Sequence, residues 1–243
     1  MTLLRLAQLT PDLQGVELVV ASVADPRKSV IVAGLKYGEL SSYQAVEPGD
    51  YVVTVRTAGS STPPMITRTL AVQPDTAYTV ASVSAKSDEG LAVFVDDLRS
   101  PTAGQTRMRL INAAPPAPQL DVRDDAGPVA LGLACGAASP YQEVAPGTVR
   151  LMVGPPGQPS TDLPVTLAPN QVVSVVLTAA DGGTRATVVV DAGGPAVVPP
   201  GPVHAGFGGM AGPPPGGAIG SAVLVVLAAV AGGISLRLAR RAE

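Results

Sequence analysis

The chain predicts an all-β protein: two tandem β-sandwiches, a disordered Pro/Gly stalk and one C-terminal transmembrane helix. Three observations predict it. The segment LKYGELSSYQAVEPGDYVVTV at residues 35–55 recurs as LACGAASPYQEVAPGTVRLMV at residues 133–153. Val and Thr come in short runs broken by Pro, Gly, Asp or Ser, in a chain of 243 residues that holds 27 Gly and 25 Pro, the pattern of short strands and turns. Residues 218–236 carry no charge over a membrane-spanning length. The expected organisation is 1–100 for the first sandwich, 104–192 for the second, 193–217 for the linker, 218–236 for the helix and 237–243 for a basic tail.

The repeat holds its register, which composition alone would not produce. Arg5, Leu6, Pro11, Glu17 and Leu18 face Arg109, Leu110, Pro115, Asp121 and Val122. Gly38, Tyr43, Gln44, Pro48 and Gly49 face Gly136, Tyr141, Gln142, Pro146 and Gly147, and later Pro74 faces Pro169 and Asp97 faces Asp191. Each copy is long enough for a modest core of its own. Seven or eight strands are expected in each.

A shift of one residue would turn every side chain of a strand to the other face of its sheet, so alternation shared by the copies assigns the core. Tyr51, Val53 and Val55, with Val149, Leu151 and Val153, form an inward row, as do Tyr78 and Val80 with Val173 and Val175. Arg5 and Arg109 fall on the polar side of opening strands that bury Leu4, Leu6, Met108 and Leu110.

These residues resemble a known family. The opening Arg-Leu-x-x-x-(Thr/Ala)-Pro, the Gly-x-x-Ser-x-Tyr-x-x-x-x-Pro-Gly segment and the Asp96-Asp97 pair closing the first copy are similar to the domain of unknown function 4397, over about residues 3–191. The resemblance implies an exported bacterial surface protein, often with tandem domains, and no established activity. The family's opening strand often carries His where this chain has Gln8 and Asn112. Both replacements are expected to hydrogen-bond a turn.

Pro48-Gly49 and Pro146-Gly147 are read as structural turn motifs: Pro presets one dihedral and Gly permits positive φ at the next. The Pro-Gly-x-Tyr-x-Val pattern is similar to transthyretin-like and pilin-type sandwiches, so each copy is expected to be Ig-like or transthyretin-like. Lysines occur at 28, 36 and 86 and none in the second copy, which argues there against a Lys–Asn isopeptide bond.

Catalytic constellations are sparse. His204 is the sole histidine and lies in the linker, so one chain assembles neither a Ser-His-Asp site nor a multi-His metal site. Cys135 is the sole cysteine, takes the register of Tyr37, and is read as a structural thiol. No catalytic residue and no cofactor are expected. Asp96, Asp97, Asp124 and Asp125 are the weak candidates for a metal such as Ca²⁺, set against solvated or capping roles at strand ends. Glycan recognition would want exposed aromatics, and the chain has no Trp and 3% aromatics. Tyr43 and Tyr141 read as packing or turn residues, and Tyr37 as the aromatic least tied to structure. The net charge of −3 shows no basic footprint for nucleic acid.

The linker's prolines keep it extended and its glycines let it bend, while Phe207 and Met210 stand isolated in it. A helix over 218–236 would span about 28 Å, close to the roughly 30 Å hydrocarbon core. Arg237, Arg240 and Arg241 follow it and place the C-terminus in the cytoplasm and the sandwiches outside. Met1 leads straight into a strand, so this topology expects a signal segment upstream of the given start; the rival topology is a tail anchor with cytoplasmic sandwiches. The expected function is a non-enzymatic, single-pass cell-surface protein, structural or adhesive, with the bilayer and cell-wall or envelope components as partners. The alternative is a glycan- or Ca²⁺-binding surface module.

Overall fold

Strand alternation dictates a sandwich in each copy, and the computed structural model builds one. It describes residues 2–11, 16–58, 65–83, 90–115, 119–181 and 183–193. Every regular element among them is a strand, and none is a helix able to cross a membrane. The linker, the apolar span, the basic tail and the residues His204, Phe207, Met210, Arg237, Arg240 and Arg241 lie outside the described residues.

The first copy runs β1 (Thr2–Leu9), β2 (Val16–Ser22), β3 (Ser29–Ala33), β4 (Glu39–Leu40), β5 (Gln44–Val46), β6 (Gly49–Thr57), β7 (Ile66–Val72), β8 (Ala77–Val83) and β9 (Leu91–Asp96). The second runs β10 (Thr106–Ala113), β11 (Gln119–Asp124), β12 (Gly127–Ala134), β13 (Gln142–Val144), β14 (Gly147–Gly154), β15 (Thr161–Leu167), β16 (Val172–Ala180) and β17 (Gly183–Ala192). Each copy makes two sheets. One is β4-β1-β8-β9, with β5 also on β1, and its counterpart is β13-β10-β16-β17; the others are β3-β2-β6-β7 and β12-β11-β14-β15.

In both copies the opening strand pairs in parallel with a later one, β1 with β8 and β10 with β16. Parallel pairs are usually covered on both faces, and these are. Leu4 and Leu6 of β1 and Tyr78 and Val80 of β8 turn inward onto Leu18, Val53 and Val55 of the facing sheet. Met108, Leu110, Val173 and Val175 do the same over Leu120, Val122 and Leu151. The opposite faces of the same strands meet each other. Ala7, Leu9, Ala81 and Val83 form one buried cluster with Ile111, Ala113 and Val176. The described strands therefore stack as four layers with three cores, and both copies belong to one compact unit, Met1–Val197.

The inward rows expected at Tyr51, Val53 and Val55 and at Leu151 and Val153 are observed. The polar side assigned to Arg5 and Arg109 is corrected: these guanidinium-bearing residues are only 1% and 2% exposed, because that side is where the copies meet.

Candidate functional site: a reciprocal ion cluster between the copies

Two arginines taken out of water must meet carboxylates, since an unpaired buried charge costs several kcal/mol. Here each finds its partner in the other copy. Arg5 Nη2 donates to Asp191 Oδ1 at 2.7 Å, while Arg109 Nη2 lies 2.7 Å from Asp96 Oδ1. The second contact is an ion pair without hydrogen-bond alignment. Within its own copy each Nε donates to a hydroxyl on the neighbouring parallel strand, Arg5 to Thr79 Oγ1 and Arg109 to Ser174 Oγ, both at 2.8 Å. Those hydroxyls pass the bond on, Thr79 to Asp96 Oδ2 at 2.5 Å and Ser174 to Asp191 Oδ2 at 2.7 Å.

Two tyrosines close the cluster. Tyr43 donates to Asp96 Oδ2 at 2.6 Å and Tyr141 to Asp191 Oδ2 at 2.7 Å. Their rings cover the guanidinium groups, with the Arg5 carbon 4.4 Å from the Tyr43 centroid and the Arg109 carbon 4.7 Å from that of Tyr141, a cation–π distance. Burial pushes both phenols well above the ordinary tyrosine value; Arg5 and Arg109 oppose this, and the neighbouring carboxylates add to it. Burial works against the charge of Arg5, but Asp191, Tyr43 and Asp96 outweigh it and hold its pKa above the usual value.

The repeated sequence motif explains how the tyrosines arrive. Gly38 and Gly136 have φ of 86° and 79°, a left-handed conformation that favours glycine. They also sit against the other copy: a Cβ on Gly38 would lie 2.8 Å from Thr178 Cγ2, and one on Gly136 would lie 3.3 Å from Val83 Cβ. Three residues on, Ser41 and Ser139 accept from the backbone N–H of Leu6 and Leu110 at 3.0 and 2.9 Å, locking each turn to its opening strand. The chain then delivers Tyr43 and Tyr141 over the arginines.

The repeat register placed Asp97 opposite Asp191, and the structure moves that equivalence by one residue. Asp96 is the counterpart: it follows Pro74 by 22 residues as Asp191 follows Pro169, and it accepts from Tyr43 as Asp191 does from Tyr141. Asp97 turns the other way. It accepts from Arg99 Nε and Nη2 at 2.8 and 2.5 Å and from Arg107 Nη1 and Nη2 at 3.1 and 2.7 Å. These bonds, Arg99 first and Arg107 next, hold its carboxyl far below the usual range. They fasten the segment joining the copies to β10. A groove of about 550 Å³ passes this staple, between β9 and Ala138, Ser139, Pro140 and Tyr141.

The other expected residues have local roles. Asp124 accepts from the backbone of Ala126 and Gly127, and Asp125 from Arg150. The four aspartates weighed for a metal do not converge, and no group of three or more metal-ligating residues occurs among the described residues. Gly49 and Gly147 have φ of 144° and 121° at the starts of β6 and β14, following Pro48 and Pro146. Asn112 accepts from Ala114 N at 3.0 Å, the expected turn bond; Gln8 accepts from Ser82 and donates to Thr10 O. Tyr37 proves structural: its hydroxyl donates to Ala113 O and accepts from Ala179 N at 2.9 Å, both in the second copy. Burial raises the pKa of the half-buried Cys135 thiol.

Thr79, Ser174 and the cross-copy partnership were missed by sequence reasoning. A signal existed. Arg5 shares its face with Ala7 and Leu9, and Arg109 shares its face with Ile111 and Ala113, which is apolar company for a side facing water.

Solved structures similar to this chain are distant. The C-terminal domain of AlgF from P. aeruginosa is 22% identical, covering 36% of this chain and 98% of that domain, with a TM-score of 0.29. A family 26 carbohydrate-binding module from Eubacterium rectale Amy13K, in complex with maltoheptaose, is 9% identical over 77% of this chain and 95% of its own, with a TM-score of 0.28. At these scores neither carries an argument about ligands. No curated protein matches the chain. A family model, Domain of unknown function (DUF4397), matches residues 2–123, a shorter stretch than the resemblance covered. It takes in the first copy, β10 and β11 up to Arg123, and so includes Arg109. Spanning half of the sequence, this match shows that the chain belongs to the DUF4397 family.

Proposed function

We propose that the protein is a non-enzymatic structural or adhesive module of the cell envelope, its two Ig-like or transthyretin-like sandwiches carried outside the membrane by the 193–217 linker and the 218–236 helix. One observation carries this reading. The buried arginines and aspartates and the half-buried tyrosines are engaged with one another, so they support a rigid joint between sandwiches rather than a reacting centre. The anchor rests on the uncharged span and on Arg237, Arg240 and Arg241 behind it. Its partners are the bilayer and a wall or envelope component.

External protease applied to intact cells tests it. Cleavage within 193–217 should release the paired sandwiches as one folded fragment, while a C-terminal tag stays protected until the membrane is permeabilised. Protection of the sandwiches with exposure of the tag would overturn the orientation and bring forward a tail anchor with cytoplasmic sandwiches.

A further inference from the structure

The face that joins the copies is self-complementary. Each copy presents Arg, a hydroxyl, Asp and Tyr on it, and each Arg takes its carboxylate from across the joint. The glycine turns repeat the arrangement, Gly38 against Thr178 and Gly136 against Val83. Such reciprocity is the mark of an isologous interface, here built within one chain.

We infer that the partner of this face in trans is a second copy of the same chain, reached by exchange: the first sandwich of one molecule pairs with the second of another. Every contact that closes the joint within a chain closes it equally between chains. The two states therefore differ mainly in the segment between β9 and β10. That segment, residues 97–105, has an extended reach of about 30 Å, enough to let the sandwiches part. It is held on Asp97 by Arg99, 83% exposed, and by Arg107, 11% exposed, and further along by Thr102 on Glu143 and Gly104 on Asn170. An exposed pair such as Arg99–Asp97 holds little, so the Arg107–Asp97 pair is the main tie, and both end on the single carboxylate of Asp97. An opened joint leaves arginine and aspartate on an otherwise apolar face, and the surface that matches them is the corresponding face of another chain. The inference names a partner for the adhesive reading, and it is tested on purified full-length chain, so either can fail alone.

The experiment uses two full-length chains with different tags, one carrying Arg5→Asp and the other Asp191→Arg. Alone, each sets like charges against one another at the joint. Together in one membrane or micelle they make one compensated and one native joint, and the two tags should co-purify several-fold more than either variant does with itself. The single chain bearing both changes should not show this gain, since its charges are compensated internally. Equal co-purification in every pairing, as contact through the apolar span alone would give, overturns the inference. A second variant leaves the cluster untouched: Asp97→Ala, which releases the staple, should raise the exchanged fraction above wild type with the β-type circular dichroism retained. An unchanged fraction in that folded variant overturns it as well.

Discussion

The two copies share a strand order and a buried cluster, yet they diverge beside it. Leu3 and Ala192 occupy the positions that correspond to Arg107 and Asp97, so the charged staple exists on one side of the joint. Tyr37 reaches across the joint where the second copy has Cys135. Thr79 stands where the second copy has Ser174. The comparison separates two jobs. What is kept in both copies makes the copies meet; of what differs, the Arg107–Asp97 pair handles the single linker, and Tyr37 adds a tie across the joint from one side alone.

The largest effect should come from breaking the kept part. Arg5→Ala strands Asp191, and Arg109→Ala strands Asp96; each should cost about 3–5 kcal/mol in chemical denaturation, a large share of a typical stability of about 5–15 kcal/mol. If the joint is reciprocal, the two losses are similar, and Arg5→Ala combined with Asp191→Ala costs less than the sum of the single changes. Strictly additive losses would show that the charges do not couple across the copies. The same result bears on the expectation that each copy folds by itself, since a strongly coupled joint makes the sandwiches melt as one unit.

Removing one tyrosine hydroxyl at a time is the next step down. Tyr43→Phe and Tyr141→Phe each delete a hydrogen bond to a carboxylate, and about 1.5–3 kcal/mol should be lost from each. The pH dependence has a definite sign. Folding raises these phenol pKa values above the unfolded value of about 10, so their contribution is complete below that pH and is lost as pH rises beyond it. An alkaline titration should show the phenolate absorbance of Tyr43 and Tyr141 appearing together with loss of the β signal. Ionisation of both before any unfolding would contradict their half-buried place over the arginines and against the carboxylates.

Much of this was legible in the sequence because β-sheet physics is local. Alternation at Tyr51–Val55 and at Leu151–Val153 has one consistent solution, and Pro-Gly fixes the turn before each. The partnership of Arg5 with Asp191 was not legible, because it depends on how whole sandwiches stack. The one-residue error at Asp97 has a plainer origin. Asp96 follows Pro74 by 22 residues, as Asp191 follows Pro169, so constant spacing after the prolines already pairs Asp96 with Asp191. Tyr37 looked dispensable because its counterpart is small; both hydrogen bonds of its hydroxyl described above lie in the other copy, where no repeat comparison looks.

The glycine turns sharpen the comparison at a smaller scale. Gly38→Ala and Gly136→Ala both force positive φ on a residue with a Cβ, at about 1–2 kcal/mol. Gly38→Ala should cost more, since its Cβ meets Thr178 Cγ2 at 2.8 Å, whereas that of Gly136 meets Val83 at 3.3 Å. Thr178→Ser removes the offending methyl and should recover part of the Gly38→Ala loss without helping Gly136→Ala. Equal relief of both would mean that the turn geometry, not the contact across the joint, sets the cost.

The smallest effect should come from making the copies alike. Thr79→Ser keeps the hydroxyl that accepts from Arg5 and donates to Asp96, and leaves the arrangement Ser174 already supports. Only a buried methyl is lost, so the change should cost no more than about 1 kcal/mol in denaturation. Ser174→Thr adds a methyl at a fully buried position and should be the less tolerated of the two. A loss above about 2 kcal/mol for Thr79→Ser would mean that the restricted χ1 of threonine is what aims the hydroxyl. The first copy would then be the ordered template of the joint and the second copy its follower, and the equivalence of the two halves would hold in chemistry but not in rigidity.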